Sequence, residues 1–291
     1  MALPSLLMAG EQELFKNGTM NRETLIANIL KKRSYLCVGL DSDVEKLPTH
    51  FAQRPDGVLA FNKQIIDATK DLCVSYKINT AFYEAMGAEG WDVMASTIKY
   101  IGKEHFIIAD AKRGDIGNTS HQYAKAFFKQ LDADAVTVAP YMGKDSVLPF
   151  LDYAGKWAIV LGLTSNAGAE DFELQKMEAG ALYESVLQKV SSWGTLENLM
   201  FVIGATQSDE FISIRKICPK HFFLVPGVGS QGGSLQQISE KALTAEVGLL
   251  INVSRAIIFA SQGADFAQRA QEVAQNYQQE MEQYLRDKGL I

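Results

Sequence analysis

Residues 107–120 read IIADAKRGDIGNTS, and they set Asp110, Lys112, Arg113 and Asp115 directly behind an apolar run. Amines and carboxylates this close together can move protons and stabilise charge that develops during a reaction. Asp110 and Lys112 stand two apart, so in extended backbone their side chains share one side. Asp115 lies beyond them, in the loop. Asp41 follows the apolar stretch LCVGL, and Lys77 sits in VSYKIN among mostly apolar or small neighbours. If Lys77 joins the cluster, its charges alternate in sign. Such an array can be dehydrated because each charge has an opposite neighbour. Any one of these residues alone would read as a solvated loop side chain. Their convergence on one place is what would make them a site.

A second group has the chemistry of an anion site. PGVGSQGG (226–233) is followed some twenty residues later by NVSR, which ends in Arg255. Glycines let backbone N–H groups approach an anion, and a helix that follows presents its positive N-terminus. Arg255 offers a planar fork for two hydrogen bonds to phosphate, and Gln231 an amide donor. Together they predict a small phosphorylated substrate. Its phosphate would lie near Gln231, Gly233 and Arg255, and its reacting end near Lys112. A third polar end, GLTSN, carries Thr164, Ser165 and Asn166.

Positioning these groups falls to eight short apolar runs, at 35–40, 74–79, 105–109, 135–139, 158–163, 199–204, 222–227 and 248–253. Most are rich in β-branched residues and almost unbroken by polar ones, as in parallel strands buried on both faces. Helical patterns with apolar residues at three and four spacing lie between them. Eight such units predict a (β/α)8 TIM barrel, with an open doubly wound sheet as the alternative. In a barrel of this kind the strand C-termini carry the active site, and all the residues above fall at strand ends or in the loops after them. The segment 164–177 is long for such a loop and is expected to form a lid or rim element. No Pro-, Gly- or Ser-rich linker divides the chain. Asn21 reads as a helix N-cap with Glu23 in the first turn. Residues 1–19 are therefore expected to be an N-terminal extension, natural or added, before a single barrel domain at 20–291.

Composition narrows the partners. The 291 residues are 47% hydrophobic and carry a net charge of −6. That balance disfavours nucleic-acid binding, which needs a basic field. No run of eighteen apolar residues suggests a membrane span. Cys37, Cys73 and Cys218 form no CxxC pair and read as reduced, core or near-core thiols of a cytoplasmic protein.

DAKRGDIGNTS resembles the Asp-x-Lys-x-x-Asp signature of the orotidine 5′-phosphate decarboxylase family. The likeness continues through LCVGLD, YKINTAFYE, TSN, VPGVGSQGG and NVSRAII, from about residue 30 to 260. Chain length and the KRGD filling look like the longer bacterial (type 2) subgroup. The resemblance implies conversion of orotidine 5′-phosphate to UMP and CO2, with no metal and no organic cofactor. It also implies roles. Lys112 protonates C6, and Asp110 faces the substrate carboxylate. Asp115 and Thr119 reach into a neighbouring subunit's site, which implies a homodimer. Lys77 and Asp41 contact the ribose. Ser165, less securely Thr164, bonds the pyrimidine amide. Pro226 and Gln231 lie in the phosphate loop, and Arg255 clamps the phosphate. The loop tyrosine that some members place on the phosphate has no clear counterpart. Arg113 receives no role and reads as a solvated or interface side chain. Two rivals remain: a Mg2+-dependent sister such as 3-keto-gulonate phosphate decarboxylase or hexulose phosphate synthase, and a non-catalytic nucleotide-binding barrel. The metal-dependent sisters need a further carboxylate beside the motif, and strand 2 offers no acid until Glu84.

Overall fold

The computed structural model describes residues 20–52, 54–178, 180–229 and 232–291. The extension expected at 1–19 and the candidate ligand Gln231 lie outside the described residues. All eight expected strands form, and they close into one parallel barrel: β1 (Leu36–Gly39), β2 (Ser75–Asn79), β3 (Phe106–Arg113), β4 (Ala135–Val138), β5 (Trp157–Leu163), β6 (Leu199–Ile203), β7 (Phe223–Pro226) and β8 (Leu249–Val253). β1 pairs with both β2 and β8, which completes the ring. The fold is a single-domain (β/α)8 barrel, and closure rules out the open sheet.

The strands carry apolar side chains on both faces because both are covered. The outer faces meet a helical ring that includes α2 (Gly57–Thr69), α4 (Ala88–Ile101), α5 (Gly117–Lys125), α6 (Lys144–Leu151), α7 (Leu182–Ser191), α8 (Phe211–Ile217), α9 (Leu235–Ala242) and α11 (Phe266–Asp287). Two short helices sit at the strand ends, α3 (Thr80–Glu84) after β2 and α10 (Arg255–Ile258) after β8.

Helix α1 (Arg22–Lys32) starts where the Asn21 cap predicts, with Asn21 Oδ1 accepting from the Thr24 N–H at 2.8 Å. It packs under the barrel. Buried Arg22 donates to the Lys220 carbonyl at 2.8 Å and pairs with Glu246 at 2.8 Å. The Trp157 indole donates to the Met20 carbonyl at 3.2 Å. These partners lie at the N-terminal ends of strands, so α1 seals the floor and the opposite mouth stays open.

Strand β3 departs from expectation in a way that matters for chemistry. The apolar run ends at Ala109, yet the strand continues to Arg113. Ala109 pairs with Val136 and Arg113 with Val138, so Asp110, Ala111 and Lys112 together face one residue, Thr137. This is a β-bulge, and Lys112 takes a left-handed φ of 46° within it. Asp110 and Lys112 therefore meet across a bulge, and simple extended alternation does not describe them. Period counting cannot see an insertion of this kind.

The long segment after β5 is a folded rim element. It contains a 3-10 turn (Ala167–Asp171) and a small antiparallel pair, Lys176–Met177 with Gly180–Ala181. Glu173 ties it to the barrel by accepting from the Thr164 N–H at 2.6 Å and the Thr164 hydroxyl at 2.9 Å. All three cysteines are free and buried. Burial pushes the thiols of Cys37 and Cys218 up to about 12 and that of Cys73 up to about 11, so all three are protonated at neutral pH. No helix among the described residues is long and apolar enough to cross a membrane.

Candidate active site

A cavity opens at the C-terminal mouth of the barrel, and most of the predicted charges meet in it. Asp41, Lys77, Asp110 and Lys112 line one side, contributed by the ends of β1, β2 and β3. Pro226 and Gly227 from β7, and Ser254 and Arg255 from β8, line the other. In the ring β8 lies three strands from β3, so the cationic Arg255 stands well away from Lys112.

The four charges form a continuous array. Lys77 Nζ lies 3.2 Å from Asp41 Oδ1 and 3.0 Å from Asp110 Oδ2. Lys112 Nζ lies 2.6 Å from Asp110 Oδ1. The Lys77 side chain is only 4% exposed, so its charge depends on its partners. Burial alone would depress the Lys77 ammonium, but Asp41 and Asp110 outweigh it and raise the pKa. For Asp110 burial works the other way, towards protonation, and the attraction of Lys77 and Lys112 again prevails. The carboxyl is held below its ordinary range. Asp110 is therefore a buried anion at any physiological pH.

The glycines at the mouth have local causes. A Cβ on Gly39 would stand 2.7 Å from the Ser254 Cβ, so only glycine lets β1 and β8 meet there. After β7, Gly227 and Gly229 take left-handed φ values of 100° and 77°. Gly227 lines the cavity, whereas Gly233 does not. The Gly233 N–H is taken by the Gly227 carbonyl at 3.2 Å, and a Cβ there would stand 2.3 Å from the Ala205 Cβ. Helix α9 follows this loop, with the Ser234 hydroxyl capping its N-terminus. Arg255 is exposed and has no ion pair among the described residues.

Other predicted residues stand off the cavity. Thr164 and Ser165 follow directly on β5 but do not line it. Thr164 is committed to Glu173, as described above. Asp115 and Thr119 also lie outside the lining, Asp115 in the loop after β3 and Thr119 on α5. Asp115 Oδ1 accepts from the Ile116 N–H at 2.8 Å.

Arg113 is engaged within the chain and only 21% exposed, which corrects the expectation of a solvated side chain. It pairs with Glu84, donates to the Ala111 carbonyl at 3.1 Å and lies over the rings of Tyr123 and Phe127 at 5.4 and 5.5 Å. The bulge sends this neighbour of Lys112 outward, between α3 and α5. Glu84, the nearest acid after strand 2, is thereby engaged on the outside of the barrel and does not line the cavity.

Three polar residues escaped the sequence reading. Asn79 and Asn252 line the cavity, and Thr137 backs it. Thr137 and Asn252 are each the lone polar side chain of an apolar strand, and Asn79 ends the strand that carries Lys77; those are the signals that could have found them.

The chain matches the family model described as orotidine 5′-phosphate decarboxylase / HUMPS family over residues 34–270. It is 53% identical over 270 residues to the orotidine 5′-phosphate decarboxylase of Phocaeicola vulgatus, covering 91% of this chain and 99% of that one. Among solved structures it resembles the Leishmania donovani OMP decarboxylase, with a TM-score of 0.77, 35% identity, and coverage of 90% of this chain and 99% of that one. It also resembles the Leishmania donovani UMP synthase, with a TM-score of 0.78 and 36% identity. That match covers 89% of this chain but 56% of the longer UMP synthase, so this chain spans a little over half of it. With the signature charges assembled at the barrel mouth and the family match running over residues 34–270, this chain belongs to the orotidine 5′-phosphate decarboxylase / HUMPS family.

Proposed function

We propose that this protein converts orotidine 5′-phosphate to UMP and CO2 in pyrimidine biosynthesis, with Lys112 protonating C6. Near-full-length relatives of that name support the activity. The observation that supports the roles is the alternating array Asp41–Lys77–Asp110–Lys112 at one side of the mouth, with Arg255, which has no ion pair among the described residues, at the other.

Loss of CO2 leaves a carbanion at C6 with no good electron sink in the ring. The Lys112 ammonium meets both needs: it stabilises the developing charge and then donates the proton. Asp110, held ionised, stands against the substrate carboxylate. Two unit charges about 4 Å apart at an effective dielectric of roughly 20 repel by about 4 kcal/mol. Full relief of that in the transition state gives about three decades of rate. The remainder comes from transition-state stabilisation and from binding energy at the remote phosphate. Lys77 and Asp41 hold the ribose. Ser165, less securely Thr164, bonds the pyrimidine amide. Pro226, Gln231 and Arg255 form the phosphate end, and Gly233, its N–H bonded to the Gly227 carbonyl, shapes the loop behind them.

The two cavity carboxylates are each engaged by lysine, and Glu84 by Arg113, so the donor set favours ion-pair chemistry over a bound cation. Purified protein in EDTA should consume orotidine 5′-phosphate, followed by its absorbance, as fast as without the chelator. Dependence on added Mg2+ would move the assignment to the metal-using sisters, and nucleotide binding without turnover to a binding barrel.

Asp115 and Thr119 serve the site of a partner subunit in a cytoplasmic homodimer. Exposed apolar groups support this: Ile116, next to Asp115 in sequence, and Tyr141 at 85% exposure with Phe172 6.3 Å from it between ring centroids. Mixing inactive Lys112→Ala and Asp115→Ala proteins should restore about a quarter of the native sites, because half the dimers are mixed and each holds one intact site. If Asp115 acts within its own subunit, mixing restores nothing.

A further inference from the structure

We propose that Thr137 is a positioning residue for the reaction: its hydroxyl locks the β3 bulge so that Lys112 turns into the cavity and meets Asp110. Across the bulge three residues of β3 face Thr137 alone, so the backbone ladder is interrupted just where the two charged groups project. The Thr137 hydroxyl fills the gap. Its Oγ1 accepts from the Lys112 N–H at 2.8 Å and donates to Asp110 Oδ1 at 2.9 Å. A hydroxyl has one proton, and an ionised carboxylate can only accept, so the direction of both bonds is fixed. The same Asp110 oxygen takes the Lys112 ammonium at 2.6 Å. One hydroxyl thus ties the backbone of Lys112 to the carboxylate that its side chain meets.

Such a tie is needed. A left-handed φ at a non-glycine residue costs on the order of 1–3 kcal/mol and persists only where surrounding contacts impose it. Thr137 is fully buried, and its β-branched side chain is stiff at χ1, so its hydroxyl is a fixed point. Valine in its place would keep the shape, strand the Lys112 N–H, and leave Asp110 with one donor fewer.

This inference rests on the roles proposed for Lys112 and Asp110, and a variant set separates the two. Thr137→Val should lower kcat about 10- to 100-fold, the range for hydrogen bonds to charged groups, with KM changed less than about threefold. Thr137→Ser should restore kcat to within about threefold, since the hydroxyl returns. Should the valine protein not fold, Thr137→Cys, whose thiol is a weak hydrogen-bonding group, should show the same loss of kcat. Wild-type kcat in the valine or cysteine protein would overturn the inference. So would a serine protein as impaired as the valine one, which would mark the role as packing. If Lys112→Ala still turns over, the failure lies in the catalytic assignment. If Lys112→Ala is dead and Thr137→Val is normal, it lies with Thr137 alone.

Discussion

Lys112→Ala is expected to lower kcat by at least about 10^4-fold, the combined scale of a lost general acid and a lost charge at the reacting atom. Lys112 is the more accessible of the cavity's two amines. Lys77 is enclosed between Asp41 and Asp110, whereas the Lys112 side chain is 49% exposed and, among the described residues, ion-pairs with Asp110 alone. The fold should survive. Alanine at position 112 keeps the N–H that Thr137 accepts, and it meets the left-handed φ with the same Cβ that lysine already carries. Single-turnover measurement of UMP, with circular dichroism as the check on folding, tests this. A folded alanine protein that retains a tenth of wild-type turnover would remove Lys112 from the proton-donor role.

Arg255→Ala is expected to lower kcat/KM by about 10^2- to 10^3-fold, the scale for removing one partner of a desolvated charge pair. Arg255 follows β8, three strands round the ring from the β3 that carries Lys112. Its effect on rate would come from phosphate binding energy used to hold the substrate carboxylate against Asp110. Orotidine, the same substrate without the phosphate, is the control. Wild type and variant should turn it over equally slowly, because Arg255 has nothing left to grip. If the variant is impaired on orotidine to the same degree as on orotidine 5′-phosphate, Arg255 supports the loop and the phosphate assignment falls.

Elements were most legible where they are least ambiguous physically. A buried parallel strand is a short, nearly continuous apolar run, and each of the eight runs became a strand within a residue or two, β3 excepted. Lys77 stood out for the same reason: a charge inside such a run needs partners, and Asp41 and Asp110 are those partners. Asn252 carries a fainter form of that signal within LLINV, since a buried amide also demands satisfaction, but nothing local says whether it faces a cavity or a neighbouring strand. Arg113 was illegible because its two neighbours in sequence, Lys112 and Gly114, say nothing about Glu84, Tyr123 and Phe127.

By itself the sequence determined the barrel, the end of it that does chemistry, and the cast of charges there. Those properties follow from periodicity and from the cost of burying an unpaired charge, both of which are written along the chain. Tertiary structure decided the geometry between the charges. The bulge in β3, the single hydroxyl of Thr137 that bridges it, and the opposite fates of Lys112 and Arg113 depend on how β3 registers against β4. Register is a relation between two strands, set by packing across the whole ring, and no spacing within one strand encodes it.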